Sequence, residues 1–343
     1  MIEAHTVDAW TRVSAKNTPA FRDATILGGF AAPLFLWLAG LAIVLAATRT
    51  AERTGSHGRA LEIACLRGLE IFILAFLFRL QGLIVTPGGA LVTLFRVDVL
   101  NIMGPSMVAA GLLWAASRTT GGRFCLFAAA ASAVALLTPI VRASTLVDLL
   151  PVWLQWYVRP AGDLTIFTLF PWSGFVFAGA AVGALIAAAA DQRSERRLHA
   201  ALVTLGLALV ALGFWAAGRP SIYRASAFWT TSPAWFTIRV GILLIALSVI
   251  YAIAAIDAAV RARAARPLER LGRSSLFVYW IHVELVYGYA SWLWWHRLPL
   301  WGTAIACVAF CVLMYRAIGW RDRVVDSWRA GRGLGGAAQT ATA

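Results

Sequence analysis

Nine stretches of this chain run apolar for about twenty residues each, and any fold must accommodate them: 24–48, 62–85, 97–117, 123–142, 164–190, 198–217, 235–259, 274–294 and 299–318. A helix rises ~1.5 Å per residue, so ~20 residues cross the ~30 Å hydrocarbon core of a bilayer. Inside that core each backbone polar group must be satisfied within its own segment, which selects helices. Only 13% of the residues are charged and 60% are hydrophobic, against about a quarter charged in a soluble domain. The fold class is therefore all-α, a polytopic membrane helical bundle of about nine transmembrane helices. The breaks hold turn residues such as Pro87-Gly88-Gly89, Gly121-Gly122 and Gly218-Arg219-Pro220. Residues 24–320 form one transmembrane domain. Residues 1–23 form an extracytoplasmic N-terminal segment, and 321–343, ending in GRGLGGAAQTATA, a disordered cytoplasmic tail.

The net charge of +14 comes from 29 arginines and one lysine, Lys16. One alternate set of connections holds 17 arginines and the other nine Lys or Arg. By the positive-inside rule the first set, with the C-terminus, is cytoplasmic. That accounts for the basicity without nucleic acid. Nine spans would then leave the N-terminus outside, although residues 1–23 carry Arg12, Lys16 and Arg22 and no export signal. A tenth helix upstream of Met1, ending just before Glu3 and His5, is the simplest expected resolution, with an N-terminal tail translocated after synthesis as the alternative.

This orientation gives each polar group in the spans a depth. Leu271 to Val286, LGRSSLFVYWIHVELV, leaves an arginine-rich loop (Arg261, Arg263, Arg266, Arg270, Arg273) and places His282 about 13 Å into the bilayer. The residue either bonds a neighbouring helix as a neutral histidine or faces a wet cavity. Arg79 and Gln81, Asp98 and Asn101, Arg239, and the Pro171-Trp172-Ser173 opening of the fifth span all fall in the outer half. A polar cavity with Asp98 paired to Arg79 or Arg239 is expected there, though a single arginine also reaches the interface by snorkelling. At the inner end Arg67 and Glu70, three apart, form a local brace or an entrance for an anionic ligand such as a coenzyme A nucleotide. Trp153, Trp156, Tyr157, Tyr223, Phe228, Trp229 and Trp235 make an interfacial belt or stack on sugar rings. His5, on the outer face if a helix precedes it, is suited to take a proton from an attacking hydroxyl or amine. Cys65, Cys125, Cys307 and Cys311 fit small buried hydrophobes better than a metal site or disulfide.

FAAPLFLWLAGLAIVLAATR (30–49), LRGLEIFILAFLFR (66–79), FRVDVLNIMGPSMVAAGLLW (95–114), FTLFPWSGFVFAGAAVG (167–183) and LGRSSLFVYWIHVELV (271–286) together resemble the heparan-alpha-glucosaminide N-acetyltransferase family and its bacterial relatives. MIEAHTVDAW looks like the end of the family's first helix, which puts His5 at its catalytic histidine; the arginine-glycine motif that opens that helix is absent. His282 falls on the histidine that similar proteins carry in a late helix. The resemblance implies transfer of an acetyl group from cytoplasmic acetyl-CoA, the co-substrate, to an extracytoplasmic sugar amine or hydroxyl. It puts His5 and His282 among the catalytic candidates; the residues' own depth and chemistry add Asp98, Asn101 and Arg239 to them, Arg67 and Glu70 toward the coenzyme, and Arg79, Trp172 and Ser173 toward the sugar, with no metal expected. The implied setting is a bacterial inner membrane, with lipid and a glycan or amino-sugar acceptor as partners and a homodimer as a further expectation. A carrier of an anionic or glycosidic solute, or an inactive structural homologue, are the competing readings.

Overall fold

A computed structural model of the protein describes residues 1–85, 90–162, 164–256 and 258–331. Thirteen α-helices are described, joined by loops and short 3-10 turns, with no β-strand among the described residues. They are α1 (Ile2–Trp10), α2 (Pro19–Gly28), α3 (Ala31–Thr54), α4 (His57–Val85), α5 (Val99–Ala116), α6 (Thr120–Ala143) and α7 (Val152–Val158), followed by α8 (Leu169–Ala187), α9 (Gln192–Ala217), α10 (Pro233–Ile256), α11 (Ala258–Arg273), α12 (Ser275–Tyr287) and α13 (Leu300–Gly331). Seven helical stretches among the described residues are long and apolar enough to cross a membrane. Two of the nine expected spans differ from these seven. The 29-residue α4 carries Arg59, Glu62, Arg67, Glu70 and Arg79, and α12 has only 13 residues. Leu207, Phe214, Val308 and Val312 lie exposed along α9 and α13. Water would penalise such a surface, whereas lipid requires it.

Three sequence expectations are corrected. The arginine-rich stretch before Ser274 is a helix, α11, and not a loop; the side chains of Arg261 and Arg263 lie outside the described residues. The span expected over 274–294 ends at Tyr287, because Gly288 turns to extended backbone and a 3-10 turn, Tyr289–Ser291, follows. Residues 321–331 continue α13 where a disordered tail was expected. Two interactions hold that extension: the Arg270–Asp322 ion pair at 2.8 Å and the Arg321 Nη2 bond to Ser274 Oγ at 3.1 Å. Residues 332–343 and the Pro87-Gly88-Gly89 turn lie outside the described residues.

The helices divide into two compact units, Ala32–Ala255 and Met1–Ala31 with Ile256–Ala343. In the first, α4 packs along α5, and α6 along α8. From Ser173 to Ala184, α8 is buried on every face, as its run of Gly, Ala, Val and Phe allows. A Cβ on Gly40 would lie 1.8 Å from the Val176 carbonyl oxygen, and one on Gly179 the same distance from that of Trp37. The backbones of α3 and α8 therefore touch, the use membrane helices make of small residues. Gly40→Ala and Gly179→Ala are expected to lower the melting temperature of the solubilised protein. Gly121→Ala, with open space around it, should not. Equal melting of all three would show that the close approach is absent.

In the second unit, α1 packs on α2, α12 and α13 over a core of Ala9, Trp10, Val278, Val286, Phe310, Met314 and Ile318. The N-terminal segment is tied down by backbone bonds from Arg12 N to Leu298 O at 2.8 Å and from Leu298 N to Trp10 O at 2.9 Å. Thr11 Oγ1 also donates to Thr303 Oγ1 at 3.1 Å.

Candidate functional site

Two groups of candidate residues emerge, one in each unit. Within Ala32–Ala255, Asp98 caps the N-terminus of α5. Its Oδ1 accepts from Leu100 N at 2.9 Å and Asn101 N at 3.5 Å, while Asn101 Oδ1 accepts from Asp98 N at 3.1 Å. The sequence VDVLN thus forms a reciprocal capping box, which satisfies orphan amides at the helix start. Asp98 Oδ2 meets Arg79 Nη2 at 2.6 Å, with both side chains largely buried. Of the two partners expected for Asp98, the structure gives Arg79. Asn101 Nδ2 also donates to Tyr157 Oη at 3.4 Å.

Trp172 packs against the neighbouring core of Val97, Ile102 and Trp156. Its ring meets Phe167 at 4.7 Å and Trp235 at 5.7 Å, both edge-on. The Arg239 guanidinium lies 4.7 Å from the Trp235 centroid, a cation-π contact. A chain of contacts therefore joins Arg79, Asp98, Asn101, Trp172 and Arg239. Ser173 instead donates to the Leu169 carbonyl one turn back at 2.7 Å, which occupies its hydroxyl proton.

Arg142 is a residue that the sequence reading does not single out. At the end of α6 its Nε donates to Phe170 O at 2.9 Å and its Nη1 to Thr230 O at 3.4 Å, with Thr168 Oγ1 also bound. One side chain thus pins the strand of chain leading into Trp172. Its arginine-at-a-helix-end signal is shared with many interfacial arginines, so the sequence did not single it out. Arg67 and Glu70 form an exposed pair at 2.9 Å on α4.

In the other unit, His5 on α1 and His282 on α12 come together with ring centroids 5.1 Å apart and planes 82° apart. His282 is 1% exposed. Its Nδ1 lies 2.6 Å from the Val278 carbonyl oxygen, an arrangement that requires the proton on Nδ1 and leaves a lone pair on Nε2. Among the described residues that Nε2 has no hydrogen-bond partner, and neither does the buried Nδ1 of His5. A buried, unmatched polar atom costs about 1–3 kcal/mol, so two of them in adjoining rings mark a place where the fold gives up stability. Burial pushes the His5 imidazole, on a helix outside the seven spans, down to about 4. It is neutral at physiological pH and free to accept a proton.

Tyr287 and Asp8 complete this group, and neither was singled out from sequence. The Tyr287 ring stands edge-on to His5 at 5.3 Å, and its hydroxyl donates to Asp8 Oδ2 at 3.0 Å. The 279-residue separation explains why the pair was invisible in the sequence.

A search of curated proteins returns no match. Residues 1–223, more than half of the chain, match the family described as heparan-alpha-glucosaminide N-acetyltransferase, catalytic. The matched stretch contains His5, Arg79, Asp98, Asn101 and Trp172 and stops short of Arg239 and His282. With its apolar helices, the chain belongs to the heparan-alpha-glucosaminide N-acetyltransferase catalytic family of membrane proteins.

Proposed function

We propose that this protein transfers an acetyl group from cytoplasmic acetyl-CoA to the amine or hydroxyl of an extracytoplasmic sugar. The observation that carries the reading is the His5–His282 pair with its buried, unmatched nitrogens. The acceptor nitrogen or oxygen attacks the thioester carbonyl and forms the new C–N or C–O bond. His5 takes the proton released from the acceptor, the C–S bond breaks, and the coenzyme leaves as its thiolate. Passage of the acetyl group through His5 itself, as an acyl-imidazole, is the two-step version of the same chemistry. His282 packs edge-on against His5 and helps to bury it, which favours the neutral imidazole.

The Ala32–Ala255 unit separately carries Asp98 with Arg79, Arg239 over Trp235 and the Trp172 ring, groups of the kind that position a sugar or stabilise an oxyanion. The exposed Arg67 is placed to receive coenzyme phosphates, with Glu70 as the partner it exchanges. The direction, from the arginine-rich face to the opposite one, rests on the charge asymmetry of the connections.

The experiment is acetyl transfer from radiolabelled acetyl-CoA by protein purified in nanodiscs, with glucosamine as acceptor. The expected result is labelled N-acetylglucosamine, or labelled protein when the acceptor is omitted. Uptake of unmodified glucosamine into vesicles with no acetyl transfer would replace this reading with that of a carrier.

A further inference from the structure

A concavity with largely apolar walls and a few polar groups lies beside α1. It encloses about 390 Å³ between α1 and α2, with walls that include Asp8, Lys16, Phe21 and Thr25 and a floor at Gly28 and Gly29. That volume is in the range of small-molecule sites, and its mix of apolar wall and few polar groups is typical of them. Lys16 is the chain's one lysine among 30 basic residues. Its Nζ donates to the Asp8 carbonyl oxygen at 2.7 Å and lies 3.6 Å from Asp8 Oδ1 and 5.9 Å from the Phe21 centroid. An ammonium is a compact, rotatable donor, whereas a guanidinium imposes a planar fork.

We propose that this cavity is a subsite for the pyranose ring of the acceptor, which rests on the acetyltransferase reading above. The chemistry is that of vicinal hydroxyls. One hydroxyl donates to the Asp8 carboxylate while its neighbour accepts from the Lys16 ammonium, and the two charges balance, so the subsite adds no net charge. Phe21 gives the C–H face of the ring an apolar wall, and the Thr25 hydroxyl, whose proton is committed to Phe21 O at 2.9 Å, still accepts. Asp8 belongs to both places. Its Oδ2 accepts from Tyr287, whose ring abuts His5, and its other oxygen faces Lys16. A sugar held by Asp8 is therefore held near His5, which shares the short helix α1 with Asp8. Glu3 adds a carboxylate toward the floor, where a Cβ on Gly28 would come within 2.7 Å of its Oε2.

The test combines binding with turnover on the full chain in nanodiscs. Saturation-transfer NMR with glucosamine should show saturation reaching the ring protons in the wild type. Phe21→Ala and Lys16→Met should each lose most of that signal, whereas Lys16→Arg and Phe21→Tyr should keep part of it. In acetyl transfer, Lys16→Met should raise KM for glucosamine at least ten-fold with a smaller change in kcat. Unchanged ring saturation and unchanged KM in Lys16→Met and Phe21→Ala would overturn the subsite while leaving acetyl transfer intact. Ring saturation lost in both variants, in a protein that never transfers acetyl, would keep the subsite and remove the enzymatic reading. Melting curves matching the wild type establish that the variants are folded.

Discussion

Arg79→Met is expected to cost the protein on the order of 3–5 kcal/mol, the range found when one partner of a buried ion pair is removed. Asp98 is 2% exposed. Two backbone amides and one guanidinium satisfy its carboxylate. With Arg79 gone the amides remain, but the charge has no counterion in a medium of low dielectric. The converse substitution should be milder. Asp98→Asn keeps an acceptor for the cap, and the Arg79 side chain, at 17% exposure, can swing its head toward the interface. The double variant Arg79→Met/Asp98→Asn should then be more stable than Arg79→Met alone, because no isolated charge is left. Denaturation of the purified protein in mixed micelles measures all three. Wild-type stability in Arg79→Met would mean that Asp98 is not ionised in the fold, and the ion pair would lose its structural role.

That pair shows what the sequence discloses and what it hides. Depth alone, argued from helix rise and the bias of arginines among the connections, put Arg79, Asp98, Asn101, Trp172 and Arg239 at one level, and the structure links them through Trp235 and the Val97–Ile102–Trp156 core. Sharing a level left two partners open for Asp98; only packing chose Arg79. Ser173 illustrates the opposite failure. Its position on the helix was right, but a serine in a helix can turn its hydroxyl back to the preceding carbonyl, and this one does.

The helix limits failed for a related reason. Periodicity finds apolar runs, and α12 was read through Gly288 because the aromatic residues beyond it, Tyr289, Trp292, Trp294 and Trp295, are as apolar as a span. What stops the helix is a backbone turn at one glycine, which hydropathy does not register. At the other end, polar composition suggested disorder after Trp320, yet Arg270 and Ser274 supply partners to Asp322 and Arg321 that no local reading contains. Asp8 with Tyr287 is the extreme case, a contact between the first turns of the chain and its last third.

His5→Ala is expected to reduce acetyl transfer by about 10²- to 10⁴-fold, the usual worth of a positioned general base, without a matching loss of stability. The two effects separate because of how the imidazole is housed. An ordinary core histidine stabilises through its hydrogen bonds, so its removal costs stability. Here the Nδ1 of His5 is buried without a partner among the described residues. Deleting the ring removes that penalty of about 1–3 kcal/mol and offsets the lost edge contacts with His282 and Tyr287. The pH profile supplies the independent check. A base whose imidazole is pushed down to about 4 by burial stays unprotonated throughout the neutral range, so kcat/KM should be flat there and fall only as pH drops toward that value. The same shift makes protonation favour the unfolded chain, whose histidine titrates near 6.5, so stability should also decline on acidification across that interval. His282→Ala, which removes the neighbour and not the base, should leave a measurable rate and move the acid limb upward, since the burial of His5 would be relaxed by the space it opens. A His5→Ala protein that melts lower and still transfers acetyl at the wild-type rate would make the imidazole a packing element and send the search for the base back to Asp98.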